Sequence, residues 1–306
     1  MRPATSLLRT HSLRRLQAGL LTPQLPKRFS TAIPRADGDL IPLKNRFSLA
    51  GKSYIVTGGG RGIGYAAARA IAEVGGNVSI LDQARSPVRD FASLASEFGV
   101  KTKYIRTDIT QEASVSRAFE ETMADFGRLD GCVTAAGICP EGDFTEHTLA
   151  DVKRCFDVNI TGTFLAAQQT TKALLAQNTP GSIVMIASIS GSSVNPGVKL
   201  SAYSASKGAV RMLCTELGVE LAPAQIRVNA ISPGYIDTEL LAPLKAAQPK
   251  RIDLMQNEPP MKRIGNRNDL TPAVVYLLSE ASSYMTGSEI VIAGGVNCGR
   301  IESSYL

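Results

Sequence analysis

From Phe47 onward, short apolar runs alternate with longer segments in which apolar positions recur every three or four residues. The short runs predict strands at Ser53–Val56, Asn77–Leu81, Lys103–Arg106, Gly131–Thr134, Ser182–Ile186, Ile226–Ile231 and Glu289–Ile292. The periodic segments predict helices at Gly62–Val74, Ser86–Phe98, Ala113–Phe126, Leu149–Leu175, Tyr203–Leu221 and Thr271–Leu278. Strands that are apolar throughout are covered on both faces, and strand–helix alternation joins them in parallel. The expected fold is therefore α/β: a doubly wound, seven-stranded parallel sheet of Rossmann type. No change of composition divides residues 47–299, so residues 46–306 are expected to form a single domain, with no internal repeat.

Residues 1–36 have a different character. They contain Arg2, Arg9, Arg14, Arg15, Lys27, Arg28 and Arg35 but no acidic residue. Leu7, Leu8, Leu16, Leu20 and Leu21 can line one face of a short basic amphipathic helix. This is the composition of a mitochondrial transit peptide, and Arg28-Phe29-Ser30 resembles a matrix-protease cleavage site. The expected address is the mitochondrial matrix, or the cytoplasm if this leader carries no signal. Residues 37–45, with Gly38 and Pro42, read as a linker.

The leader also changes the reading of charge. The chain carries +6 over 306 residues, and the leader's +7 leaves −1 for the remainder. A basic balance confined to the leader is no argument for nucleic-acid binding by the folded part. Apolar residues make up 44% of the chain, enough for a sizeable core, but no run reaches about 18 and no membrane-spanning helix is expected. The five cysteines are dispersed without metal spacing, and His11 and His147 stand far apart. Reduced thiols and no metal site are expected.

Two stretches carry candidate chemistry. The first strand runs into Thr57-Gly58-Gly59-Gly60-Arg61-Gly62-Ile63-Gly64. Glycines between a strand and a helix allow a tight turn and close approach of backbone to a pyrophosphate at the helix N-terminus. The second strand ends in Asp82, whose carboxylate can accept from the hydroxyls of an adenosine ribose and would repel a 2′-phosphate. That favours NAD(H), while Arg61 in the turn leans toward NADP(H), which stays open. Asp82 can alternatively cap a turn. Asp108, after the third strand, can reach an adenine edge or cap the helix that follows.

The second stretch is Tyr203-Ser-Ala-Ser-Lys207, with Ser188 fifteen residues before it. Tyrosine and lysine four apart share one helix face. An ammonium near a phenol favours the phenolate and lowers its pKa, and a nearby serine hydroxyl can hold a reacting oxygen.

Together these residues resemble the short-chain dehydrogenase/reductase family, over about Phe47 to Gly299. Ala135-Ala136-Gly137 resembles its strand-four motif, with Thr134 in place of the usual asparagine. Asn159 in Val-Asn-Ile-Thr matches its helix asparagine. Pro233-Gly234, followed by Ile236 and Thr238, matches the segment that meets the nicotinamide. Ala293-Gly-Gly295 matches the last strand, with alanine where aspartate is common. The resemblance implies that Tyr203 is the proton donor and acceptor, that Lys207 holds the ribose and lowers the tyrosine pKa, and that Ser188 orients the reacting C–O. It implies that Asn159 binds a water linking Lys207 to solvent. It assigns cofactor contacts to Gly58, Arg61, Gly62, Ile63, Gly64, Asp82, Asp108, Ile109, Ala136, Gly137, Pro233, Gly234, Ile236 and Thr238, besides Asn159, Tyr203 and Lys207. No metal is implied.

The implied reaction interconverts a secondary alcohol and a ketone. Segments 138–143, 189–202 and 235–264 would shape the substrate pocket, the last as a lid. In Asn45-Arg-Phe-Ser-Leu-Ala-Gly-Lys52, Ala187-Ser-Ile-Ser-Gly191 and Ile226-Arg-Val-Asn-Ala-Ile-Ser-Pro-Gly-Tyr235, the chain resembles fungal polyol and ketose dehydrogenases of the D-arabinitol, sorbose or mannitol type. Two alternatives remain: a 3-oxoacyl thioester reductase of mitochondrial fatty-acid synthesis, and a non-catalytic dinucleotide-sensing protein. In relatives the helices near Asp151–Ala176 and Tyr203–Leu221 pair between subunits, which implies a homotetramer.

Overall fold

The computed structural model describes residues 41–195, 198–239 and 241–299. The leader, the first part of the linker and Leu240 of the expected lid lie outside them. The rest of the linker contains one turn of helix, α1 (Leu43–Arg46), whose Arg46 guanidinium donates to the carbonyls of Glu280 and Ala281.

Among the described residues nine strands follow: β1 (Ser53–Thr57), β2 (Asn77–Asp82), β3 (Thr102–Arg106), β4 (Gly131–Thr134), β5 (Gly181–Ile186), β6 (Ile226–Pro233), β7 (Ile236–Asp237), β8 (Gly265–Asn266) and β9 (Glu289–Ile292). All but β7 and β8 form one parallel sheet in the order β3-β2-β1-β4-β5-β6-β9; β7 and β8 pair separately. The remaining helices are α2 (Gly62–Glu73), α3 (Ser93–Phe98), α4 (Glu112–Phe126), α5 (Leu149–Phe156), α6 (Gly162–Gln177), α7 (Ser201–Glu220), α8 (Ala242–Ala247), α9 (Pro249–Asn257) and α10 (Thr271–Leu278).

Each strand feeds two cores, because successive side chains point to opposite faces. Tyr54 and Val56 of β1, with Val184 and Ile186 of β5, pack under α2 and α10 against Ala68, Ile71, Val274 and Leu277. Ile55, Ile183 and Met185 face the other way, toward Val115, Leu174 and Val210 of α4, α6 and α7. This double covering is what all-apolar strands require.

Two expected helices differ. The segment predicted as Ser86–Phe98 becomes helical only at Ser93. Pro87 disfavours helix at the residue before it, and the Val88 N–H is taken by the Gly60 carbonyl at 2.9 Å. The predicted helix Leu149–Leu175 runs on without a break through α5 and α6, but it widens between them into a π-type turn over Asp157–Thr161. Asn159 lies in that turn, fully buried. Within the expected lid, α8 and α9 form a helical pair.

Strand order reverses between β1 and β4: β1 pairs in parallel with β2 on one side and with β4 on the other. At such a switch point the loops after the two strands part and leave a crevice at their carboxyl ends.

Candidate active site

The crevice is a cleft of about 910 Å³. Its floor is the turn after β1. A Cβ on Gly58 would fall 2.5 Å from the Cα of Ala136, and Gly58 has a φ of +65°, so this position admits only glycine. On Gly64 a Cβ would fall 2.3 Å from the Gly58 carbonyl oxygen, so α2 packs directly on the turn. The turn is therefore a bare backbone cradle at a helix N-terminus, the setting that takes a phosphate.

One contact tests whether that cradle accepts an oxyanion. The Glu239 carboxylate receives the Gly62 N–H at 3.0 Å, and its other oxygen receives Arg267 at 2.6 Å. Burial alone would raise the Glu239 carboxyl, but hydrogen bonds from backbone and from Arg267 outweigh it and hold it below the usual range. A carboxylate thus already sits where a phosphate oxygen would. The residues present fit a dinucleotide, with Gly58, Gly62 and Ile63 at its pyrophosphate and Asp82 toward its ribose.

Asp82 ends β2 beneath the turn. Its two oxygens receive the N–H groups of Gly60 at 2.9 Å and Ala84 at 3.0 Å. It therefore caps the turn as well as facing the cleft; the two readings of the sequence are compatible. A second hollow adjoins it, lined in part by Arg61, Arg106 and Arg117. Asp108 receives the backbone and hydroxyl of Thr110, at 3.0 and 2.8 Å. It thus forms the turn leading into α4 rather than the helix cap, which is Gln111, and it also lines the cleft.

Tyr203, in the first turn of α7, and Ser188, just beyond β5, face each other across the middle of the cleft. They meet because the turn Ile189–Gly191 lies flat on α7. A Cβ on Gly191 would fall 2.8 Å from the Lys207 backbone. Gly191 is a positioning residue that the sequence did not single out. Lys207 is buried, with its ammonium donating to the Ile186 carbonyl at 2.7 Å and lying 5.8 Å from the centre of the Tyr203 ring.

The electrostatics differ from expectation. Burial is the largest influence on Tyr203 and raises its pKa; the influence that lowers it is the hydrogen bond with Ser188. Lys207 yields instead: burial lowers it from 10.5 to about 8. The correction is physical, since desolvation disfavours both charged forms at once.

Every residue expected at the site lines the cleft except Asn159. Its amide oxygen receives the Ile138 N–H at 2.9 Å, and its nitrogen donates to the Ile138 carbonyl and to the Ser206 hydroxyl, both at 2.9 Å. It clamps the loop after β4 to α7 beside Lys207. That clamp, with the Thr57 hydroxyl receiving the Ala136 N–H at 3.4 Å, pins the loop after β4, whose last residue Thr134 has a buried hydroxyl without a partner among the described residues.

The structure also picks out individual residues within segments 138–143 and 235–264, which were expected to shape the substrate pocket. Cys139, Glu141, Gln248, Arg251 and Met255 line the end of the cleft beyond Tyr203. Glu141 and Arg251 pair at 2.7 Å across 110 positions of chain, a relation no local pattern reveals.

The seat held by Glu239 generates a prediction. Glu239→Gln removes an anion that competes for the Gly62 N–H. It should tighten NAD(P)H by roughly threefold to tenfold, the worth of one anion at a helix N-terminus. Fluorescence titration measures this, and unchanged or weaker binding would refute the competition.

Residues 58–297 match a family model described as "Enoyl-(Acyl carrier protein) reductase". The chain is 34% identical to a sorbose reductase of Candida albicans over 88% of this chain and 94% of that one. It is 35% identical to an NADP-dependent mannitol dehydrogenase of Hypocrea jecorina, covering 83% and 97%. Among solved structures, a short-chain type dehydrogenase/reductase from Mycobacterium marinum superposes with a TM-score of 0.81 at 38% identity, over 84% of this chain and all of that one. With a cleft built on the glycine turn and Tyr203, Lys207 and Ser188 converging in it, the chain belongs to the short-chain dehydrogenase/reductase family.

Proposed function

We propose that the protein interconverts a secondary alcohol and a ketone, with a polyol and its ketose as the substrate pair. The observation that carries this is the meeting of the Tyr203 phenol with the Ser188 hydroxyl above a buried Lys207. When bound, the nicotinamide cofactor supplies or accepts the hydride. The chain's own residues manage the proton. In oxidation the alcohol oxygen gives its proton to the Tyr203 oxygen, while the Ser188 hydroxyl keeps the oxygen in place. In reduction the phenol returns it. Asn159 holds the loop and α7 in register, and a water on its remaining lone pair would serve as the relay from Lys207. The polyol class is supported by the chain's likeness to enzymes named for sorbose and mannitol.

Tyr203 and Lys207 titrate as a pair. A phenolate beside an ammonium and a phenol beside a neutral amine have lost the same single proton, so the first loss belongs to both. Its pKa is set by the group that yields first, lowered to about 8. Alcohol oxidation needs the deprotonated pair and should rise with pH through a single group near 8. Ketone reduction needs the protonated pair and should fall through the same value. Tyr203→Phe should lower kcat by about 10² to 10⁴ and leave cofactor affinity nearly unchanged. Steady-state rates across pH on a polyol and its ketose check both; retention of a tenth of the parent turnover would place the proton path elsewhere.

For the cofactor we propose a preference for NAD(H). Asp82 puts a negative charge where the 2′-phosphate of NADP(H) would come, although Arg61, Arg106 and Arg117 stand beside it. Asp82→Ser leaves those cations in place and should move the ratio of kcat/KM values toward NADP(H) by roughly tenfold or more, as expected for removing a close like charge. Equal kcat/KM for the two cofactors in the parent would overturn the preference.

We also propose a homotetramer, with residues 1–36 serving only as a matrix address. Phe164 on α6 and Met212 and Val219 on α7 are exposed apolar side chains on the helices expected to pair. A protein begun near Ser30 should scatter light as four chains and turn over like the full chain. A monomer at micromolar concentration, or loss of cofactor binding on truncation, would count against this.

A further inference from the structure

The far end of the cleft carries a charged pair that the proton chemistry does not use. Arg251 comes from α9, and Glu141 from the loop between β4 and α5. Their side chains meet at 2.7 Å, the arginine mostly buried and the glutamate more open. Both line the cleft that Tyr203 and Ser188 line. The Nε of Arg251 is closed off from solvent and has no hydrogen-bond partner among the described residues. Cys139 stands between this pair and the catalytic centre: its thiol is pushed up to about 12, first by burial and then by Glu141, with Lys207 and Arg251 acting the other way. The pair is thus within electrostatic reach of the reacting end.

We infer that Glu141 and Arg251 form the distal clamp of the substrate site and read two adjacent hydroxyls of a neutral polyol or ketose. This deepens the polyol reading above and rests on it. A guanidinium carries five N–H donors, and Arg251, at the cleft wall with Glu141 on one nitrogen, keeps others to offer an acceptor from outside the chain. A carboxylate beside it calls for a donor. A hydroxyl supplies either, and two on neighbouring carbons supply both at the spacing of one ion pair. The charge balance selects among substrates. Arg251 is already neutralised by Glu141, so a sugar acid would find no unmatched cation and would meet the Glu141 charge. A long acyl chain would have to lie against a charged pair and desolvate it without return.

The test uses the full-length protein with its preferred cofactor and three alcohols: D-mannitol, cyclohexanol and D-gluconate. Cyclohexanol has one hydroxyl and cannot use the clamp. Arg251→Met should raise KM for mannitol by roughly tenfold to a hundredfold at nearly constant kcat, the worth of one charged hydrogen bond. Its kcat/KM for cyclohexanol should stay within about twofold of the parent. Arg251→Lys keeps the charge but lacks the planar fork of donors, and its mannitol KM should remain raised; recovery would assign Arg251 a purely structural ion-pair role. Glu141→Gln uncovers the guanidinium and should shift the preference from mannitol toward gluconate by about tenfold. A mannitol KM unmoved by Arg251→Met, or an equal loss on cyclohexanol, would overturn the clamp while leaving the polyol reading intact. A parent that oxidises no polyol, reduces no ketose, and reduces acetoacetyl thioesters would overturn that reading and the clamp with it.

Discussion

The site depends on a buried cation. Lys207 places an ammonium inside the protein against one backbone carbonyl, that of Ile186 at the end of β5. Lowering its pKa from 10.5 to about 8 corresponds to about 3 kcal/mol against the charged form. The fold sustains that by fixing everything around the lysine. Gly191 lets the turn after β5 lie on the backbone of α7 at Lys207 itself. Ser206, next in chain, is held by Asn159, whose other contacts hold the loop after β4. Arg211, one helical turn further on, is paired with Glu289 of β9 at 2.6 Å, and Glu289 also receives the Ser232 hydroxyl. Three strand ends are thereby fastened to one helix, and the tyrosine one turn before the lysine takes its position from that helix.

The same burial explains why the tyrosine does not behave as an isolated Tyr-x-x-x-Lys pair suggests. In water an ammonium near a phenol stabilises the phenolate. Inside the cleft both charged forms are disfavoured, so burial makes the ammonium release its proton more readily and the phenol less readily. Desolvation has moved the lysine toward the physiological range and the tyrosine away from it. The pair can then release one proton near neutral pH without the phenol alone having to fall several units. Helix spacing brings two groups together; the solvent-free surroundings decide which of them yields.

That distinction also marks what could be read in the sequence. The inner strands of the sheet were legible because a mostly apolar run between turn residues has few other uses, and the glycine turn because only glycine fits where Ala136 approaches Gly58. Local rules failed where a distant group takes over a backbone or side-chain hydrogen bond. Val88 gives its N–H to Gly60, so the helix after β2 starts late. Asn159 reaches both a loop and α7, so the helical repeat widens around it. Glu239 and Arg251 were passed over as ordinary members of the lid segment, since one acquires its role from Gly62 and the other from Glu141. Residues whose partners lie more than 100 positions away leave no period to detect.

The two ends of the cleft apply one electrostatic rule with opposite results. At the adenosine end Asp82 spends one lone pair of each oxygen on the backbone of the turn, which fixes its charge in place among Arg61, Arg106 and Arg117 without ion-pairing to them at the distances found for the chain's salt bridges among the described residues. A fixed, unneutralised carboxylate discriminates by repulsion, and the cations around it become useful to a phosphate only when that carboxylate is gone. At the substrate end Glu141 and Arg251 neutralise each other, so the pair has hydrogen-bonding direction but little net field. Such a pair discriminates by matching donors to acceptors, which suits an uncharged ligand with several hydroxyls. On the readings proposed above, selection by charge at one end and by hydrogen-bond pattern at the other would let a single cleft distinguish its cofactor and its substrate independently.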